Sequence, residues 1–194
     1  MSNQKPDKIR TIVLTAVMIA IMLVLQVTGI GLIDLGIIRV TVYCTVIAIG
    51  TLVLGWESGM VLGAAFTAIS FWAAIQRPSA MVAPLMQAAP LFVFIMSFVP
   101  RMLVPLTSHL LYGMFRKIDF NDKLALGISA ACGSLCNTIL YLGLMLIGYA
   151  MTVADYPGIL AAVGAVAGAA GLPEAVVAGI VTPPVVIALR KIYK

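Results

Sequence analysis

From Leu91 to Phe115 the chain is apolar and carries one full charge, Arg101, in the run Phe98-Val-Pro-Arg-Met-Leu-Val-Pro105. About 20 apolar residues, each rising 1.5 Å, cross the hydrocarbon core of a bilayer, so this stretch reads as a membrane-spanning helix. In lipid every backbone N–H and C=O needs a partner within the protein, and a helix supplies it. Arg101 adds a second constraint. Its guanidinium keeps its proton in a protein, and at mid-membrane depth it costs roughly 3 kcal/mol on insertion scales. Such a charge is tolerated where a buried polar cavity, a carbonyl or an anion answers it. Arg101 is therefore the residue that points most directly to what the chain binds.

The remaining composition fits a membrane protein. The chain is 62% hydrophobic and 10% charged, where a soluble domain has about 25% charged residues. Its 194 residues are expected to form a single integral-membrane domain, 1–194. The net charge of +5 is not a nucleic-acid footprint, because the basic residues fall at helix ends. Cys44, Cys132 and Cys136 lie in apolar segments. Cys132 and Cys136, one turn apart with no His, Asp or Glu nearby in sequence, read as small packing residues rather than metal ligands. The polar first ten residues precede an apolar run to about Ile30, too long for a signal peptide, so a first membrane helix is expected there.

Six helices are expected, at about 12–29, 40–54, 60–74, 91–115, 124–150 and 173–192. The second and third are short for a span. Between them lie the Gly-rich loop from Gly29 to Gly36, the turn Gly55–Gly59, the Pro-punctuated stretch from Gln76 to Pro90, and the basic loop Arg116–Lys123. The small-residue segment Met151–Gly171 reads as a loop with a short re-entrant or surface helix. Lys and Arg count nine on one side (Lys5, Lys8, Arg10, Arg116, Lys117, Lys123, Arg190, Lys191, Lys194) against Arg39 and Arg77 on the other. The positive-inside rule then places both termini in the cytoplasm and opens the longer Gly/Pro-rich loops outward.

Arg101 sits about ten residues inside the outer end of its helix, ~15 Å deep. Asn137 lies about thirteen residues up the fifth helix from its inner end, at matching depth, with Tyr141 one turn outward on the same face. Together they are expected to grip a carboxylate- or amide-bearing solute; the competing role is an internal bridge that pins two helices. Glu174 opens the last helix, where a carboxylate complements the helix dipole or faces the site. Gln87 falls in the third loop, which is placed to gate a site. Tyr43 and Trp72 stand near outer helix ends, as interface anchors or pocket walls. His109 reads as a packed histidine, and Asp34 and Asp155 as solvated loop charges. Ala16 and Ala20 leave a flat face on helix 1 for close helix approach. The chain has no phosphate-binding loop and no His-Glu-x-x-His. One histidine and no carboxylate deep in a span argue against an enzyme and against a proton-coupled carrier.

The order and spacing of several short segments resemble the substrate-binding S components of energy-coupling factor (ECF) vitamin transporters. They are the basic N-terminus before Ala16-x-x-x-Ala20, Leu54-Gly-Trp-Glu-Ser-Gly-Met-Val-Leu-Gly63, Phe98-Val-Pro-Arg-Met-Leu-Val104 and Gly133-Ser-Leu-Cys-Asn-Thr-Ile-Leu140. The last two look most like pantothenate-type members. The resemblance implies an all-α bundle of six spans in the cell membrane and an outward-facing vitamin pocket. It also implies docking through the Ala16/Ala20 face onto a separate coupling subunit, import powered by two cytoplasmic ATPases, and toppling of the component to release its ligand. No cofactor is expected on this chain, since ATP is used by the partner subunits. Carried over, Arg101 and Asn137 become the ligand grip. Trp56-Glu57 and Pro105 depart from the common pattern, and Pro105 is expected to kink the helix beneath Arg101. Pantothenate, with one carboxylate, an amide and hydroxyls, suits one arginine and one asparagine. Other vitamins (folate, cobalamin, riboflavin) and a self-sufficient secondary carrier are the alternatives.

Overall fold

The computed structural model describes residues 8–28, 32–34, 39–152 and 156–192. Asp155, Lys5, Lys194 and much of the Gly29–Gly36 loop lie outside them. The described helices are α1 (Lys8–Thr28), α2 (Tyr43–Leu54), α3 (Trp56–Gln76), α4 (Ala83–Ala88), α5 (Pro90–Lys117), α6 (Asp122–Thr152), α7 (Tyr156–Val166) and α8 (Leu172–Ile192). A π-helical turn, Ala167–Gly171, joins α7 to α8. A short antiparallel hairpin, β1 (Leu32–Asp34) with β2 (Arg39–Thr41), bridges α1 and α2, and pairs Asp34 with Arg39 in register. Among the described residues, five helical segments are long and apolar enough to cross a membrane: α1, α3, α5, α6 and the continuous run Gly158–Lys191. Helix α2 is apolar but only 12 residues long, about 18 Å at the helical rise.

Three expected boundaries shift, each for a local reason. The expected five-residue turn between helices 2 and 3 shrinks to Gly55 alone, at φ +102°, a conformation that L side chains rarely adopt. With that reversal made by one residue, Trp56 and Glu57 join α3, where Glu57 complements the helix dipole. The Pro-punctuated stretch contains α4, with Pro84 in its first turn, where a missing N–H costs nothing. The largest shift is in Met151–Gly171. Most of it is helical and runs into α8 through the π turn without a break, since Leu172 keeps right-handed helical angles. Small residues without a polar terminator give the chain no reason to stop there.

Helix α5 packs along α3 and α6, and α8 packs along α6 and α2. The α3–α5 contact rests on Gly63. A Cβ there would lie 2.8 Å from the backbone O of Arg101. Pro105 has no N–H to offer that carbonyl, its usual i−4 partner, so Gly63 and Pro105 together define how closely α3 passes the arginine. Gly63→Val should therefore force the helices apart. We expect a melting temperature lower by about 5 °C or more in detergent, the effect of overpacking a tight interface; an unchanged melting curve would show that this contact is slack.

At the end of the bundle where α5 stops and α6 begins, Arg190 of α8 ties four helices together. It donates to the Leu52 carbonyl at 3.0 Å and to the Tyr112 hydroxyl at 2.8 Å. Tyr112 in turn donates to Asp122 at 2.7 Å, and Asp122 stands 3.5 Å from Arg190. This polar clamp fixes the relative heights of α2, α5, α6 and α8.

Candidate functional site

Toward the opposite end, the helices enclose a cavity of about 510 Å³, within the usual range for small-molecule sites. Its walls come from α1, α2, α3, α5, α6, the end of α7, the π turn and α8, and the segment Arg77–Val82 lies across it. That segment is anchored: Ser79 accepts from the N–H groups of Val82 and Ala83, and Tyr149 of α6 donates to the Met81 carbonyl at 2.6 Å. An apolar cluster of Val82, Leu85, Val93, Met96, Leu142, Met145 and Tyr149 packs on one side of the cavity. A second, including Met22, Tyr43, Phe66 and Val104, packs on the other.

Arg101 stands between these clusters, 8% exposed. One terminal nitrogen donates to the Ser97 carbonyl, a turn earlier on α5, at 2.6 Å. Its guanidinium lies over the Phe66 ring at 4.3 Å and faces the Tyr141 ring at 5.6 Å. With the guanidinium buried, these π faces offset part of the desolvation of the charge. The charge is still not fully answered, because Arg101 Nε is buried without a hydrogen-bond partner. Asn137 Oδ1 on α6 is also buried and unpartnered. A buried polar atom left without a partner costs about 1–3 kcal/mol, so both atoms favour an occupant that bonds to them.

Of the residues expected at the site, Arg101, Asn137, Tyr141, Tyr43 and Glu174 all line this one cavity. Tyr43 is fully buried, packs its ring tilted against Phe66 with centroids 4.7 Å apart, and donates from its hydroxyl to Gln26 Oε1 at 2.9 Å. It is a wall rather than an interface anchor. Glu174 is buried in the first turn of α8. Its expected role as an N-terminal cap does not hold, because α8 continues from the π turn and has no free helix start. Two expectations are corrected. Trp72 is 65% exposed and outside the lining, because the neighbouring Phe71 is the residue that meets α5, at Phe94. Gln87 is exposed on α4 and also outside the lining, since α4 buries Leu85 instead. His109, expected to be packed, is exposed on α5.

The sequence reading missed Gln26, Phe66, Ser97 and Thr138, which line the cavity as well. Ser97 was within reach of sequence logic, one turn before Arg101. Gln26 is a rare amide near the end of an apolar helix, a second usable signal. Phe66 had none, because a phenylalanine in a membrane helix is ordinary until another helix sets a charge against it. Among the described residues no group of three His, Cys, Asp or Glu side chains is placed to hold a metal. The three cysteines are free.

A bundle of membrane-length helices around a cavity with apolar walls and a few convergent polar groups, Arg101 Nε and Asn137 Oδ1 among them without partners, defines a membrane protein suited to bind a small polar solute. The comparisons with known proteins agree. The family model described as "ECF transporter, substrate-specific component" matches residues 10–186. The chain belongs to this family, and is a multi-pass membrane transport protein. It is 29% identical over 198 residues, 96% of this chain and 97% of the relative, to the pantothenic acid transporter PanT of Lactococcus lactis subsp. cremoris (strain MG1363).

Proposed function

We propose that this chain is the high-affinity pantothenate-binding component of an ECF-type importer. In this reading it crosses the membrane six times with both termini cytoplasmic, α2 being a short, protein-enclosed span. The 510 Å³ cavity opens outward. The component docks through the Ala16/Ala20 face of α1 on a separate coupling subunit, and two cytoplasmic ATPases drive uptake. The observation that carries the ligand assignment is the pair of buried, unpartnered atoms, Arg101 Nε and Asn137 Oδ1, in a single cavity. Arg101 answers a carboxylate by charge-assisted hydrogen bonds. Asn137 Oδ1 answers an N–H or O–H, which pantothenate has in its amide and its two hydroxyls. The apolar walls suit its dimethyl-substituted carbon. The name of the lactococcal relative points to the same vitamin.

Purified protein should bind radiolabelled pantothenate stoichiometrically with a Kd well below micromolar, and pantothenol, which lacks the carboxylate, far more weakly. No binding at micromolar pantothenate would remove this vitamin from the reading while leaving the family membership intact.

A further inference from the structure

Away from the vitamin cavity, α8 and the start of α6 flank an open groove of about 410 Å³, lined by Lys123, Pro183, Pro184, Ile187, Ala188 and Lys191. Its apolar floor comes from α8. The adjacent prolines and Ile187 supply its apolar surface, and Ala188 adds little bulk. Close contact of the helices keeps the groove narrow: a Cβ on Gly127 would lie 2.7 Å from the Gly179 carbonyl and 3.4 Å from Pro183. The rim carries two cations. Lys123 opens α6 and Lys191 ends α8, and the Asp122–Arg190 contact one residue before each fixes both at the same level of the bundle. Asp122 is engaged by Arg190, Arg116 and Tyr112. Among the described residues neither lysine ammonium forms an ion pair.

We propose that this groove is a binding site for one anionic phospholipid, with the phosphate held between Lys123 and Lys191 and an acyl chain lying along Pro183, Pro184 and Ile187. Charge complementarity selects this occupant. The site joins an apolar trough at membrane depth to an uncompensated pair of cations where the spans end, and a phospholipid with a net negative headgroup matches both halves. A zwitterionic lipid would bring its own cation to the lysines. A soluble anion would leave the trough unfilled. The site is separate from the vitamin cavity, since the two linings share no residue.

The test is native mass spectrometry of the purified protein given equal amounts of phosphatidylglycerol and phosphatidylcholine with matched acyl chains. We expect the wild type to retain phosphatidylglycerol on the order of tenfold or more over phosphatidylcholine. Lys123→Gln with Lys191→Gln should abolish that preference, whereas Arg116→Gln with Lys117→Gln, on the neighbouring loop, should retain it. Ala188→Trp, which fills the trough without touching charge, should also lose the lipid. Melting temperatures measured in parallel report folding, and the two glutamine pairs alter exposed side chains only. No preference in the wild type, or a preference that survives both Lys123→Gln with Lys191→Gln and Ala188→Trp, would overturn the proposal. So would loss of vitamin uptake in those variants with lipid retention unchanged, which would make the groove a protein contact instead.

Discussion

Arg101→Ala is expected to abolish pantothenate binding, raising Kd by a hundredfold or more, while the purified protein still folds and melts cooperatively. The two halves of this result have separate causes. A carboxylate that loses its charge-assisted partner forfeits about 1.5–3 kcal/mol and stays desolvated among apolar walls, and each 1.4 kcal/mol is tenfold in affinity. The empty protein, by contrast, gives up one hydrogen bond and two ring contacts, while the apolar clusters on either side of the cavity that hold the bundle together are left in place. Arg101→Lys should recover part of the loss, since it restores the charge but not the planar fork that lies over Phe66. Trp72→Ala should leave Kd unchanged, because Trp72 is outside the cavity lining. A wild-type Kd for Arg101→Ala in isothermal titration would take the arginine out of the site and leave it as a helix–helix bridge.

The second large effect is expected at the opposite surface. Ala16→Trp and Ala20→Trp should reduce ATP-driven vitamin uptake in reconstituted vesicles to background while Kd for the vitamin stays within about twofold. Helix α1 is the least embedded of the spans, with only Thr15 and Met22 buried, and both alanines are exposed. They share a stripe with Ile9, Val13, Val24 and Val27, all more than half exposed. In a bilayer, exposed apolar side chains alone mark lipid contact. Small residues four apart add the capacity for a second helix to come close, which an indole ring would prevent. Binding should survive because neither alanine lines the cavity; Gln26, near the end of α1, is that helix's contribution to it. Normal uptake by both variants would move the docking face elsewhere.

These two effects differ in how far the sequence foretold them. Arg101 is conspicuous in sequence because a lone charge in an apolar run has a cost that needs a reason. Asn137 and Tyr141 followed from depth and helical spacing, and the cavity contains all three. Trp72 and Gln87 went astray because their placement depends on the rotation of α3 and on the short helix α4. Near-uniform hydrophobicity leaves little periodicity to fix such a rotation. His109 was misjudged for the same reason. In a soluble protein the polar face of a helix reveals its orientation; here lipid-facing and core-facing residues are equally apolar.

Hydropathy and charge by themselves determined that this is a helical membrane protein, where most helices begin and end, and that one buried cation needs an answer. Those properties rest on local free energies: backbone hydrogen bonds satisfied within each helix and the cost of a charge in lipid. The tertiary structure decided what local terms do not contain. It set Phe66 of α3 over the guanidinium, left Arg101 Nε and Asn137 Oδ1 without partners in the same cavity, and carried the helix from Tyr156 through Gly171 into α8. It also brought Lys123 and Lys191, 68 positions apart in the chain, to one groove. Each of these depends on how closely and at what rotation the helices pack, which glycines such as Gly63 and Gly127 permit and only their neighbours on other helices define.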